Sequence, residues 1–334
     1  MAFDGVLLIA FGGPSAGGCN RIMADGEVCS GTEHGKPCPE GSPSEAHCFV
    51  QGILGKSPAR AARVAEVAEH YRAIGGGGYS PFNDLTFRQA RQLEKALRKK
   101  GLNLPVSAGM RHWGPSIKDV IVRLSEEGKR RLIGIVMAPH QSKVSWEWYL
   151  SVVDEAIAAL PAERRLEVSV LDPWWKNPGY TGAIADIIRE DLKKLPGARA
   201  RKAEVIFTAH AIPAAIAKNA PYCRQIEETA GLVAKDLGLA KHTIAYQSSA
   251  SDATMPWTGP DISEAIRTAR AAGVQDIVVS PIGFLVDHVE VLYDLDIEAR
   301  KSATECGIGF IRSGTVGSHP RFIGMLADLV AERR

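Results

Sequence analysis

No charge of one sign dominates this chain. Its formal net charge is +2 over 334 residues, and no basic stripe interleaved with aromatics runs through it. Nucleic-acid binding thus lacks its electrostatic footprint. No apolar run approaches the roughly 18–20 residues of a membrane span. The start, Met1-Ala2-Phe3-Asp4-Gly5, has no basic n-region of a secretory signal, so a cytoplasmic location is expected. Gly75–Gly78 follow a helical stretch instead of opening one, which excludes a phosphate loop. No amphipathic anchor helix stands out, and an apolar cleft rim would allow only weak peripheral membrane contact. The six cysteines include no compact Cys-x-x-Cys pair, and a secreted disulfide scaffold does not fit this size. Clustered cysteines in a cytosolic chain point to metal or redox chemistry. Oligomeric state is not legible.

What is present is ordinary globular composition, 45% hydrophobic and 23% charged, and length for two domains of about 150 residues each. Asp4 to Phe11 is a short apolar run ending in Gly12-Gly13-Pro14, the pattern of a buried parallel strand. Helices are expected over Pro58–Ile74, from a cap at Asn83 or Asp84 to about Lys100, over Ser116–Glu127 and over Val144–Leu160. Strands are expected at Leu104–Met110, Leu132–Met137 and Leu166–Leu171. The second half repeats the alternation. Strands are expected at Glu204–Thr208, Thr243–Tyr246, Asp276–Ile282 and Ile308–Ile311. Helices are expected at Tyr180–Lys194, Tyr222–Leu237, Asp261–Ala272, Val289–Ser302 and Pro320–Glu332. Such alternation means an α/β fold of parallel sheets flanked by helices, with ligands beyond the carboxyl ends of the strands.

The loops at those ends collect His112, His140, His210 and His288, four of only nine histidines. At about 100° per residue, Asp287, Glu290, Asp294 and Glu298 share one helical stripe. Like charges at i,i+4 repel, so the stripe is either a solvated face or a place for a cation. Its apolar flanks, Phe284, Leu285, Val286, Val289 and Leu292, favour the cation. His288 beside Glu290 adds a group that titrates near neutrality. His210 follows a strand; a lone histidine there is structural as readily as functional, but opposite Glu290 it becomes an acid/base or metal ligand. Arg111, with Met110 and Trp113, could hold a flat anionic ligand or make a surface ion pair. Trp257 reads as a turn before a helix capped by Asp261.

At these motifs the chain resembles the ferrochelatases, which insert ferrous iron into a porphyrin. The likeness runs through Leu7 to Pro14, Glu69 to Gly76 with Ser80-Pro81, Gly109-Met110-Arg111 and Ala138 to Ser142. It continues through Thr208 to Pro213, Tyr246-Gln247-Ser248, Pro256 to Asp261, Gly283-Phe284-Leu285 and Asp287 to Asp294. The resemblance implies two Rossmann-like, chelatase-type domains, 1–165 and 166–334, with the porphyrin between them and the C-terminal helix 319–334 packing back on the first. It implies His210 and Glu290 as the catalytic pair, and His210, Glu290, Asp294 and Glu298 as contacts of the metal. Phe11, Met110, Arg111 and His288 are the implied porphyrin contacts. Iron enters only after two pyrrole protons leave. His210 as a neutral imidazole can accept a proton or bind the metal, and Glu290 can take the other role. Oxygen ligands suit a weakly held, passing ferrous ion.

Two departures from the family pattern stand out. Many bacterial relatives have Tyr where Phe11 stands, and Phe11 offers no oxygen to a metal. Residues 15–47 form an apparent insertion of about thirty residues, long for a structureless loop, carrying Cys19, Cys29 and Cys38, with Cys48 just after it. These four could hold a 2Fe–2S cluster or, with His34 or His47, structural zinc, or remain unliganded or disulfide-bonded. Cys223 and Cys306 read as structural thiols. The porphyrin is protoporphyrin IX or coproporphyrin III; the extra propionates of the latter would need cations such as Lys143, Arg111 or Arg63. The competing readings are a cobalt or nickel tetrapyrrole chelatase and a non-catalytic tetrapyrrole- or metal-binding protein. Only catalysis requires an imidazole facing a carboxylate.

Overall fold

The structure, a computed structural model, describes residues 3–15, 44–249 and 255–333. The chain divides into two compact units. One comprises Met1–Met137, Tyr149–Leu171 and Arg333–Arg334; the other comprises Ala138–Trp148 and Asp172–Glu332.

The first unit contains β1 (Gly5–Ala10), α1 (Glu45–Leu54), α2 (Ala61–Ala73), α3 (Phe82–Lys99), β2 (Val106–Met110), α4 (Ile117–Glu126), β3 (Arg131–Val136), most of α5 (Trp148–Ala158) and β4 (Glu167–Val170). Its strands form a parallel sheet in the order β2-β1-β3-β4. Every residue of the central strand β1 is buried, which is why it reads as a continuous apolar run. Ser116 starts α4 with a full capping box to Asp119. The expected cap of α3 at Asn83 or Asp84 is not made: Pro81 holds that position without a side-chain bond. Asn83 is drawn away because it is buried and used elsewhere. It accepts from Gly13 N at 2.9 Å and donates to Gly13 O at 3.0 Å and Gly114 O at 3.3 Å. These bonds tie the turn after β1 to α3.

The second unit contains α6 (Pro178–Leu192), α7 (Gly197–Ala200), β5 (Glu204–His210), α8 (Ala214–Lys218), α9 (Tyr222–Leu237), β6 (Thr243–Gln247), α10 (Ile262–Ala271), β7 (Asp276–Ser280), α11 (Val289–Leu292), α12 (Arg300–Cys306), β8 (Gly309–Arg312) and α13 (Pro320–Glu332). Its parallel sheet runs β6-β5-β7-β8. The short helices α7 and α8 have no counterpart in the sequence reading, since four or five residues carry too little periodicity. The single helix expected over Val289–Ser302 is interrupted by a π-helical turn, Asp294–Ala299. A second π turn, Lys143–Glu147, precedes α5. Within the second unit the C-terminal helix α13 packs on α6. Phe322 meets Tyr180 and Trp174 with ring centroids at 6.1 and 5.6 Å, and Arg321 donates to Asp186 at 3.0 Å. Bare Gly179 allows this approach, since a Cβ there would stand 2.4 Å from Met325 Cβ.

Candidate functional site

The carboxyl ends of β5, β6 and β7 bring the principal candidates together in the second unit. His210 is the last residue of β5, which runs two residues past the expected end at Thr208. Its Nδ1 bonds the Ala211 carbonyl, which turns Nε2 outward. Tyr222, at the start of α9, donates from its hydroxyl to the His210 carbonyl at 3.0 Å and pins the strand end. Glu290 arrives on the segment after β7. Gly283 makes that possible: its N–H donates to Thr208 O at 3.1 Å, and a Cβ would lie 2.8 Å from Ala209 Cβ. The segment therefore lies flush against β5, and His210 Nε2 faces Glu290 Oε1 at 3.5 Å. Both side chains are about one-third exposed, at 34% and 31%.

The charges follow from this placement. Burial disfavours the imidazolium, but the Glu290 carboxylate, the Ala211 carbonyl and Asp294 outweigh it and raise His210 to about 9. Burial also disfavours the Glu290 carboxylate, yet His210 and then His288 hold it down at about 2. Each partner thus favours the charged form of the other, imidazolium at His210 and carboxylate at Glu290. His288 stays low, chiefly through burial. It packs edge-on to Phe284 at 4.6 Å and approaches Glu290 at 3.9 Å. Asp294 is buried. Burial, with Glu290 and Glu298 nearby, raises its carboxyl to about 8, against the opposing bond from Ser248 Oγ. Gln247 donates its amide to the Glu290 carbonyl. The motif Tyr246-Gln247-Ser248 was visible in sequence, but its role was not. Ser248 sits at φ +64°, unusual for a non-glycine residue, and this aims its hydroxyl at Asp294.

The acidic stripe is not continuous. Asp287 points away, its two oxygens each 3.2 Å from the guanidinium of Arg312. The cause is that Asp287 precedes the helix: α11 begins at Val289 and His288 is extended at φ −157°, so the 100° progression does not reach back to Asp287. Glu298 is exposed beyond Asp294. Among the described residues, no three His, Cys, Asp or Glu side chains form a metal-holding group. His140 is buried with Nε2 3.0 Å from Thr229 Oγ1, and burial lowers it to about 3, so it serves the core. Trp257 is structural as expected: it bridges Pro213, and Asp261 caps α10 through Ser263 N at 2.8 Å. Lys143 lines a cavity of about 490 Å³ with Trp146, Glu147, Ile216 and Asn219.

In the first unit, Phe11 follows β1 and meets His112 at a tilt of 53°, centroids 4.7 Å apart. Burial and neighbouring Arg111 lower His112 to about 4. Arg111 is half-buried, its guanidinium carbon 5.9 Å from the Tyr149 ring centre. Met110, expected to touch porphyrin, is fully buried; as the last residue of β2 it points under Gly12, where a Cβ would stand 2.9 Å from Met110 Cβ. Arg63 pairs with Glu66 at 2.7 Å. Of the four cysteines, Cys48 is buried on α1; Cys19, Cys29 and Cys38 lie outside the described residues. Cys306 packs against the core of the second unit.

The ferrochelatase family model matches residues 3–334. The chain belongs to the ferrochelatase family. It is 38% identical to the ferrochelatase of Thermus thermophilus, over 79% of this chain and 87% of that one. It is 31% identical to the coproporphyrin III ferrochelatase of Nocardia farcinica, over 99% and 88%. The solved structure of SirB from Bacillus subtilis matches with a TM-score of 0.53 at 13% identity, over 73% of this chain and 87% of that one. At that identity the likeness is one of fold, and it agrees with two parallel four-stranded sheets flanked by helices. Ferrochelatase chemistry is porphyrin metallation by ferrous iron in heme biosynthesis, and this family member is an enzyme of that class.

Proposed function

We propose that the chain inserts ferrous iron into its porphyrin through His210 and Glu290, with Asp294 and Glu298 conducting the ion or the released protons. The observation that carries this reading is the 3.5 Å approach of His210 Nε2 to Glu290 Oε1 at the carboxyl end of the second sheet. An imidazolium cannot accept a pyrrole proton. A ferrous ion drawn to Glu290 repels the imidazolium and takes over the carboxylate that holds its proton. His210, one-third exposed, then gives its proton to water and becomes a neutral base, accepting each pyrrole proton in turn and passing it on to water. Metal arrival and proton acceptance are thereby coupled, and no base stands open before iron is present. Phe11, Arg111 and His288 are the proposed porphyrin contacts; Met110 is withdrawn from that set by its burial.

The porphyrin proposed first is coproporphyrin III, because relatives from Nocardia, Streptomyces and Mycobacterium bear that name. Anaerobic turnover with Fe(II) on coproporphyrin III and protoporphyrin IX tests the reading. Absence of insertion on both would sink it, and cobalt or nickel in place of iron would show a related chelatase. Unchanged apparent iron affinity in both Asp294→Ala and Glu298→Ala, set beside His210→Ala, would sink the conduit. The thiols of Cys19, Cys29, Cys38 and Cys48 suit a 2Fe–2S cluster or zinc. A colourless, porphyrin-free sample with one zinc would refute the cluster. Cytoplasmic location and weak peripheral membrane contact belong to the same proposal, and vesicle flotation reads the contact. No helix among the described residues is long and apolar enough to cross a membrane.

A further inference from the structure

One side chain grips both ends of the segment that carries the carboxylates. Arg312 ends β8, and its side chain is only 14% exposed. Its Nη1 and Nη2 donate to Asp287 Oδ1 and Oδ2, each at 3.2 Å. Its Nε donates to Asp296 Oδ1 and Oδ2 at 3.1 and 3.2 Å, and Nη2 to Asp296 Oδ2 at 2.9 Å. Thr315 Oγ1 adds a bond to Asp287 Oδ1 at 3.1 Å. Asp287 lies just ahead of α11, where Glu290 sits, and Asp296 lies inside the π turn between Asp294 and Glu298.

We propose that Arg312 is a positioning residue for iron insertion: by clamping Asp287 and Asp296 to the end of β8, it sets the helical register in which Glu290, Asp294 and Glu298 are presented. The inference rests on the proposed role of those carboxylates. A π turn carries one more residue per turn than the α-helix it interrupts. If the segment relaxed to plain α-helix, everything beyond the turn would rotate by roughly 100° about the axis. Glu298, near the far end of the turn, would then lose its place relative to Glu290 and Asp294. Holding Asp296 on the far side of the helix from Asp294 opposes that rotation. Two carboxylates drawn to one point repel, and only a planar, multi-donor cation satisfies both. A lysine keeps the charge but not the fork. Arg300 also reaches Asp296, at 3.4 Å, but it is 49% exposed and bonds the carboxylate from the solvent side.

The test is Arg312→Lys, measured anaerobically for kcat and for KM of Fe(II) and of porphyrin separately, with unfolding followed by circular dichroism. The expected result is a fall in kcat/KM for iron of about 10- to 100-fold, the scale of an ångström-level misplacement. KM for porphyrin should move by less than about twofold, with the protein folded at assay temperature. Iron kinetics equal to wild type would overturn the inference. So would iron and porphyrin parameters declining together in step with lost folded protein. Should Arg312→Lys not fold, the triple variant Arg312→Gln, Asp287→Asn, Asp296→Asn removes the clamp and its repulsion together, and the same two outcomes apply. Wild-type protein that inserts no iron would sink both the reading of the site and the clamp. Wild-type turnover matched by the variant sinks the clamp alone.

Discussion

Replacing Glu290 by Gln tests the charge state of the site directly. The substitution keeps shape and hydrogen bonding and removes one negative charge. In the native chain His210 is held at about 9 although burial works to lower it. The groups facing it are few. Glu290 attracts, and His288 stays low, chiefly through burial. Asp294, the last in size of the groups raising His210, adds less than Glu290. The Tyr222 hydroxyl is spent on the His210 carbonyl. With the carboxylate gone, burial is opposed mainly by the Ala211 carbonyl, and His210 should fall to or below its ordinary 6.5. At pH 7, about one native imidazole in a hundred is neutral; in the variant the majority should be. The assay is an NMR titration of the His210 ring protons, with His210→Asn as the blank. The signs for stability also follow. A raised histidine stabilises fully below 6.5 and loses that contribution as pH rises through about 9. A depressed Glu290 stabilises above its ordinary 4.5 and loses it as pH falls through about 2. The pair is therefore strongest between 4.5 and 6.5, and the variant should lose the decline of Tm between 6.5 and 9. A His210 that still titrates within about half a unit of its native value in Glu290→Gln would refute the reasoning.

Other expectations follow from single contacts. Asn83→Leu strands the Gly13 N–H and C=O in the interior. At roughly 1–3 kcal/mol for each orphaned group the loss is about 2–6 kcal/mol, or a Tm drop of about 5–15 °C; a change under about 2 °C by calorimetry would contradict it. Gly283→Val places its Cβ 2.8 Å from Ala209 Cβ, so the segment bearing Glu290 must lift. Iron insertion should fall by at least about tenfold with folding retained, read as kcat; native kcat would refute it. Tyr180→Phe leaves the buried Ile282 carbonyl without its hydroxyl donor and should cost about 1–2 kcal/mol by urea titration, with no change in KM. An unchanged midpoint would show that the bond carries no net stability.

Much of the architecture is readable from residue order. β1, β5 and β7 are central and buried, so their apolar runs are unbroken, while α9 and α13 fall within the spans their periodicity marked. The α/β alternation then puts ligand residues at the strand ends, which marks His210 and His288 together. Arg312 and Tyr222 escaped notice, the first because a charged residue closing an edge strand looks like any solvated one. Its use depends on two aspartates that meet it only after β8 pairs with β7.

Sequence by itself determined the residue types, their order and the family, because buried parallel strands and compact motifs are written in local runs. Tertiary structure alone decided which acids face His210. Helical spacing assigned Asp287 to the stripe with Glu290, whereas the helix begins only at Val289 and one arginine holds Asp287 elsewhere. Only tertiary structure set the charge on His210, because an imidazole's proton affinity depends on the carboxylate beside it and on how much water is excluded, and neither is encoded at any one position.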